Sequence, residues 1–387
     1  MRTLIFGSIR PWAPFGGGMR ARSISLALAR LGAVDLVVLK YPTAPDDDPP
    51  LPHFDRVHAV RDRFDIAENR KLIAESLPPW ALETDYDIVW FNQERVWLTA
   101  QGLVSGRPIV DVDDLQDVVL ERWLAVGTKP DGTKLTDGDR QRMTAEIGYW
   151  RGIHQQVADQ AHAIVFSSEH DRRRFGFGNS VVVPNTYEKT GTVTKHRSFT
   201  PTILYQGYME WSTNEDAALW LAEEIVPRVR QTIPDVRLLL VGAPSARVKA
   251  LDSEAWIDVI GEVPDMHPYL AYADLLVAPL RVAGGTRIKI LEAFAHHIPV
   301  VTTPIGAEGL DVTHGVHLLL AEQADDLAAA CVTLLQHRDA ARQLAEHAHD
   351  LYRRAYRPER AFAAVEDAVQ LATAGAARLP ARPGHSG

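Results

Sequence analysis

The sequence predicts an α/β protein made of two doubly wound parallel sheets that face each other across a central cleft. Three observations carry that expectation. Short apolar runs alternate with amphipathic stretches along most of the chain, the rhythm of parallel strands joined by helices. The rhythm breaks over the polar, Thr- and Lys-rich stretch 188–200 and then starts again. A chain of 387 residues is also long enough for two cores of ordinary size.

In the first half the strand candidates are 3–6, 35–39, 88–91, 109–112, 163–166 and 181–183. A helical apolar stripe over 20–31 follows a loop at 11–18. The second half offers strands at 202–205, 237–241, 257–260, 275–278 and 300–302, and helices over 216–231, 266–271, 287–295, 325–337 and 338–355. Residues 1–187 are therefore assigned to a first domain, 188–200 to a linker and 201–357 to a second domain. Pro358 marks a break before a last helical stretch, 359–373. The Gly-, Pro- and Arg-rich segment 375–387 has nothing to bury, and a disordered tail is expected. Residues 46–50 read as a surface loop, and 131–139 as another loop or part of a lid.

Composition narrows the function. A net charge of −9 speaks against a nucleic-acid partner, which would call for a basic balance or stripe. No apolar run approaches the roughly 20 residues that cross a bilayer. The apolar start at 3–6 is interrupted too soon for a signal peptide, so a cytoplasmic location with no transmembrane segment is expected. Cys331 is the single cysteine, which excludes an internal disulfide and a Cys-based zinc site. Its helical spacing with Leu327 and Leu334 reads as a buried structural thiol.

The most informative run is 279–301. It leaves a strand, passes Gly284-Gly285-Thr286 and opens a helix carrying Arg287, Lys289 and Glu292. A helix N-terminus offers free N–H groups and a partial positive charge, which suits an anion. Two cations at the same terminus oppose the macrodipole unless an anion is bound. Such a conflict between local rules marks a functional site, and the pattern favours a diphosphate site over a plain tight turn.

Four ordered motifs then resemble one family. The 279–301 run resembles the nucleotide-binding signature of retaining GT-B glycosyltransferases of family 4. Pro14-Phe15-Gly16-Gly17-Gly18-Met19-Arg20 is similar to the Gly-rich first loop of that family. Tyr205-Gln206-Gly207 resembles the opening of its second domain, and Val259-Ile260-Gly261-Glu262-Val263 with Tyr269–Asp274 resembles the region that holds the base. The resemblance implies two Rossmann-like domains, with a UDP-, GDP- or dTDP-sugar held mainly by 201–357. The acceptor, a small molecule or a glycan, would be held mainly by 1–187, with 358–374 crossing back onto that domain. It implies donor contacts from Gly17, Gly18, Gly207, Glu262, Val263, Gly284, Gly285, Thr286, Ile288 and Glu292, the last on the ribose hydroxyls. It also implies retention of anomeric configuration with no metal and no cofactor besides the sugar-nucleotide co-substrate. A homo-oligomer is compatible with the sequence.

Two departures from the family pattern shape the expected chemistry. Gly284 stands where the signature has its first Glu, near the transferred sugar. Tyr208 and Asn214 fall where the family's Arg and Lys clamp the phosphates, and neither is cationic. Arg287 and Lys289 are therefore expected to supply the charge, with Arg281 as a third candidate. Asp111-Val112-Asp113 has the spacing of a metal-binding pair, but it ends a strand of the first half, away from the expected phosphates. It reads as a cap or local network, with Asp113 or Asp114 facing the acceptor. Arg287, Lys289 and Asp113 form the expected catalytic set, and Trp211 is placed near the donor. His154, His162 and His170 lack metal-ligand spacing, and His296-His297 suits a helix C-terminus.

A nicotinamide-dependent oxidoreductase would need Gly-x-Gly-x-x-Gly after the first strand, and Phe6-Gly7-Ser8-Ile9-Arg10 does not provide it. Two rivals stay open at the level of sequence. One is a nucleotide-sugar epimerase on the same fold; the other is a non-catalytic nucleotide-sugar-binding partner protein.

Overall fold

The computed structural model describes residues 1–13, 16–40, 51–188 and 200–374. The expected loop at 46–50, linker residues 189–199, the tail 375–387 and Pro14-Phe15 lie outside the described residues.

The first sheet contains β1 (Arg2–Gly7), β2 (Ala33–Lys40), β3 (Arg56–Arg61), β4 (Ile88–Asn92), β5 (Arg107–Val112), β6 (Ala163–Phe166) and β7 (Ser180–Val182), all parallel, in the order β3-β2-β1-β4-β5-β6-β7. The second contains β8 (Thr202–Gln206), β9 (Arg237–Val241), β10 (Ile257–Gly261), β11 (Leu275–Ala278), β12 (Val300–Thr302) and β13 (Leu319–Leu320), again parallel, in the order β10-β9-β8-β11-β12-β13. Strand order reverses between β1 and β4 and between β8 and β11. At such a switch point the flanking loops part and leave a crevice beyond the carboxyl ends of the strands.

Alternation along the strands puts apolar side chains on both faces, as a sheet covered on both sides requires. Phe6, Val37 and Val89 enter one core, while Ile5, Leu36 and Trp90 enter the other. Tyr205, Leu240 and Val277 lie on one face of the second sheet, and Leu204, Leu239 and Leu276 on the opposite face. Cys331 is fully buried in the first of these two cores.

The helix Pro358–Ala374 packs on the first domain: Ala361, Val365 and Ala368 join the cluster of Ile5, Ile24 and Leu28. The outgoing and returning chain segments meet at the domain boundary. Tyr187 N donates to Tyr356 O at 3.1 Å, and Tyr352 Oη donates to Tyr187 O at 3.0 Å. Among the described residues no helix is long and apolar enough to cross a membrane.

Several elements differ from expectation, each for a local reason. The first helix starts at Gly16 rather than at 20, with the glycines forming its first turn. A Cβ at Gly18 would lie 2.2 Å from the carbonyl oxygen of Ala13, so only glycine allows this entry. The stretch 131–139 is not wholly a loop, because the helix Asp137–Gln160 begins inside it. Thr136 Oγ1 accepts from Asp139 N at 3.2 Å and Asp139 Oδ2 from Thr136 N at 3.0 Å, a capping box hidden in a polar segment. β3 and β13 carry no distinct sequence signal: one is an Arg-bounded edge strand, the other two residues long.

The first domain also buries a charged trio. His154 Nε2 meets Asp117 Oδ1 at 3.0 Å, and His154 Nδ1 meets Glu94 Oε1. Burial opposes the imidazolium, but bonds to Asp117 and Glu94 outweigh it and raise His154 to about 9. Because the folded value exceeds the unfolded one, the stabilisation is complete below the unfolded pKa of about 6.5 and fades as pH rises through about 9. Replacing His154 with Leu should therefore cost about 3–5 kcal/mol near neutral pH, the range for breaking a buried pair. The loss should shrink at alkaline pH, as urea denaturation at both pH values would reveal; a pH-independent loss would contradict an ionised trio.

Candidate active site between the two sheets

The site grows from the segment after β11. Leu275–Ala278 are buried, and the chain then turns through Gly284 and Gly285 before the helix Ile288–Ala295. Gly285 has φ +59°, the left-handed region, and a Cβ there would lie 2.5 Å from Asp113 O and 3.2 Å from both Asp113 Oδ1 and Asp114 Oδ1. A Cβ at Gly284 would lie 3.1 Å from Leu115 N and 3.3 Å from Asp114 Cα. The Gly-Gly turn of the second domain thus rests on the Asp113–Leu115 turn of the first. The position that holds Glu in the family signature is closed here by backbone from across the cleft.

Other contacts hold this closure. Arg122 donates to both oxygens of Glu308 at 2.6 and 2.8 Å and to the carbonyl of Ala283. Asn185 Nδ2 donates to Thr286 O and to Asp113 Oδ1, each at 3.3 Å. The Gly-rich helix start joins the same place, since a Cβ at Gly16 would lie 3.7 Å from Ile288. Gly18, by contrast, turns towards Ala13 of its own domain rather than towards the loop 284–288. Val263 packs at the edge of the apolar cluster containing Ile288. Glu262 is exposed, and its charge acts on Arg10 of the first domain.

Lys289 is the cation that reaches the second domain's first loop. Its Nζ lies 2.8 Å from Asn214 Oδ1 and 3.0 Å from Tyr205 Oη, and 4.2 Å from the Tyr205 ring centre. A Cβ at Gly207 would lie 2.9 Å from the same Nζ. The ammonium thus sits at Asn214, one of the two positions where the family has its clamp. Burial, with Arg287 nearby as a second contribution, pulls Lys289 down to about 7.

Arg287 departs from its expected placement. It is the N-cap residue, in extended conformation, rather than part of the first helical turn. Its guanidinium folds back onto Gly284 O at 2.5 Å and Ile305 O at 3.1 Å, because the loop carbonyls need donors. Burial lowers it to about 10. Arg281 also departs from expectation. It pairs with Asp216 at 3.0 and 2.5 Å and stacks 4.9 Å from Trp220.

Glu292 is 6% exposed and accepts from Tyr187 Oη at 3.0 Å and from Gln206 Nε2. Burial raises its pKa. Thr286 Oγ1, Arg287 Nε and Gln206 Oε1 are buried and make no hydrogen bond among the described residues. Trp211 is largely exposed at the start of the helix Ser212–Trp220.

Asp111 and Asp113 form the local network expected of a strand-end pair. Arg20 grips Asp111 at both oxygens, 3.0 and 2.5 Å, and approaches Asp113 at 3.5 Å. Burial nonetheless raises Asp111 to about 6. Asp113 is half-buried beside Gly285, and Asp114 is exposed. Arg20, Asn185, Tyr187 and Gln206 escaped the sequence reading as site residues. The signal for Arg20 was an arginine closing a Gly-Gly-Gly turn; nothing local distinguished the others.

These are the features of a GT-B glycosyltransferase fold, and solved structures agree. The chain resembles sucrose-phosphate synthase from Thermosynechococcus elongatus with a TM-score of 0.76 at 16% identity, over 97% of this chain and 100% of that one. It resembles Anabaena HepE in complex with UDP-glucose with a TM-score of 0.65 at 14% identity, over 96% and 99%. A curated relative, an uncharacterized 44.6 kDa protein in the cps region of Klebsiella pneumoniae, is 22% identical over 173 residues. That match spans 42% of this chain and 44% of the relative, less than half of its length. Residues 200–337 match the model of glycosyl transferases group 1.

The closure yields a direct test. Gly285→Ala adds a methyl where there is no space and strains the backbone by about 1–3 kcal/mol. Its relief is to part the domains. Small-angle scattering should show a larger radius of gyration than wild type, and an unchanged profile would contradict the tight seat on Asp113.

Proposed function

We propose that the chain moves a sugar from a nucleotide-diphosphate sugar to an acceptor, with retention of anomeric configuration and without a divalent metal. The observation that carries this reading is the desolvated Lys289 amine, held against Asn214 and Gly207 beside the Gly284–Thr286 loop. A half-buried cation whose pKa desolvation lowers is costly until an anion joins it. The Gly284–Thr286 amides and the helix start beside it complete an anion site.

In this reading the diphosphate lies on Lys289 and the glycine loop, the ribose reaches Glu292, and the base lies towards Val263. The acceptor approaches from the first domain. As the glycosidic bond stretches, charge grows on the leaving diphosphate, and a preorganised ammonium stabilises the transition state more than the ground state. Asp113 lies against the same loop, close enough to orient the acceptor hydroxyl. Attack from the leaving-group face lets the departing phosphate oxygen take the acceptor proton, so no carboxylate nucleophile is required. Arg287 acts by holding the loop carbonyls rather than as the principal clamp.

Lys289→Ala should lower kcat as well as donor affinity, with a rate loss on the order of a hundredfold. A rise in KM alone, or wild-type turnover with the fold intact, would remove Lys289 from the transition state. Anion binding needs the protonated amine, so nucleotide affinity should be highest below pH about 7 and fall above it. Calorimetry across that range, with Lys289→Arg expected to flatten the profile, checks the sign.

Glu292→Ala should weaken nucleotide binding by about 1.5–3 kcal/mol. Unchanged affinity would place the ribose elsewhere. Turnover should also survive a chelator; a loss with EDTA that Mg²⁺ restores would refute the metal-free mechanism.

A further inference from the structure

Beside the cleft lies a second, strongly basic groove that the transfer reaction as described does not use. It has a volume of about 1040 Å³ and runs between the helix Gly16–Leu31 and the end of the helix Arg338–Ala355. Its inner end is formed by Met19, which packs against the Ile288 cluster, and by Tyr187, which holds Glu292. Arg22 and Arg30 line one wall and Arg353 and Arg357 the other.

The arginines recur with the helical repeat. Arg22, Leu26 and Arg30 follow at four-residue steps on the first helix and share a face; His349 and Arg353 do so on the second, and Arg357 follows in the bend after that helix ends. Arg357 pairs with Glu359 at 3.2 Å, and Arg30 lies 3.8 Å over the Phe362 ring. Arg22, Arg30 and Arg353 make no ion pair among the described residues, and Glu188 and Glu359 are the acids of the lining. A neighbouring depression of about 540 Å³ shares Arg353 and Arg357 and adds Arg354, His317 and His347 against the lone Asp350.

Among the described residues four arginines and His349 line the groove against two carboxylates, although the chain as a whole carries a net charge of −9. Clustered like charges repel in the free protein, and guanidinium forks match phosphate geometry in pairs. We infer that this groove binds a phosphate-bearing ligand separate from the donor diphosphate. Resting on the transferase reading, we assign to it the phosphate of the acceptor, whose reactive end would extend past Met19 towards the cleft. That phosphate belongs either to a soluble sugar phosphate or to a lipid headgroup.

The test titrates the full chain with inorganic pyrophosphate at low salt. Wild type should show two classes of site. Lys289→Ala should remove the one at the donor loop, while Arg22→Ala/Arg353→Ala weakens the other by tenfold or more. If Lys289→Ala changes nothing while the groove variant still loses its class, the donor reading fails and the groove stands. The groove variant should melt close to wild type, since Arg22 and Arg353 are exposed and make no ion pair among the described residues, and Arg22→Gln/Arg353→Gln repeats the measurement with side-chain bulk retained. Cosedimentation with phosphatidylcholine vesicles containing roughly a third phosphatidylglycerol separates the sources. Binding that the groove variant loses supports a headgroup, and pyrophosphate binding without vesicle binding supports a soluble phosphate. Pyrophosphate isotherms of the groove variants superimposable on wild type would overturn the assignment.

Discussion

The arrangement of the cleft depends on one buried guanidinium. Arg20 is 4% exposed, yet it donates to both oxygens of Asp111, to Val183 O at 2.9 Å and to Asn185 Oδ1 at 2.9 Å. It thereby ties the Gly-rich helix to the end of β5 and to the segment leaving β7. A planar fork with five donors can join three elements where an ammonium cannot. Asn185, oriented by Arg20, spends its own amide on Thr286 O of the opposite domain. The seating of the 284–286 loop thus follows from an ion pair in the other half of the molecule. Asp111 consequently has its carboxylate committed to Arg20, which accounts for an Asp-x-Asp spacing whose work is architectural.

Glycine makes the second contribution. Parallel sheets place their functional loops at the same edge, and two such edges meet only if backbone can approach backbone. Gly285 does this against Asp113 O, and Gly309 lets the chain pass close to the Ser168 side chain, with φ of +59° and +79°. The bidentate Arg122–Glu308 pair then spans the junction beside them. Gly284 belongs to the same logic: a Cβ at that point would sit tightly against Leu115 N at 3.1 Å. The acidic groups near the loop now come from the first domain, as Asp113 and Asp114. Closing the domains and presenting carboxylates have become a single structural act.

Both parallel sheets were legible because buried strands write continuous apolar runs such as Leu275–Ala278, and helices such as 338–355 show unbroken periodicity. The edge strands were not, because β3 and β13 depend on their neighbours rather than on their own residues. The 137–160 helix was obscured by its polar faces, although Thr136 and Asp139 spelled its cap. At the site, the glycine loop and Lys289 were visible as a conflict with the helix dipole. The direction of Arg287 was not, since two orphan carbonyls from Gly284 and Ile305 decide it, and one lies 18 residues away in sequence. Tyr187 and Gln206 were invisible for the same reason: their partner Glu292 is 105 and 86 residues distant.

Helix polarity explains why Lys289 is useful where it stands. A lysine at the start of a helix is disfavoured by the macrodipole, and burial disfavours it again. The free protein answers by lowering the proton affinity of the amine and by lending it Asn214, Tyr205 and the Tyr205 ring. Neutral partners solvate an ammonium without cancelling its charge. A carboxylate in place of Asn214 would satisfy the lysine more fully and would also repel an incoming phosphate. The site therefore carries an unspent positive charge in a place of low water content, where its field is weakly screened. An anion that arrives there meets the helix amides, the glycine turn and the ammonium together.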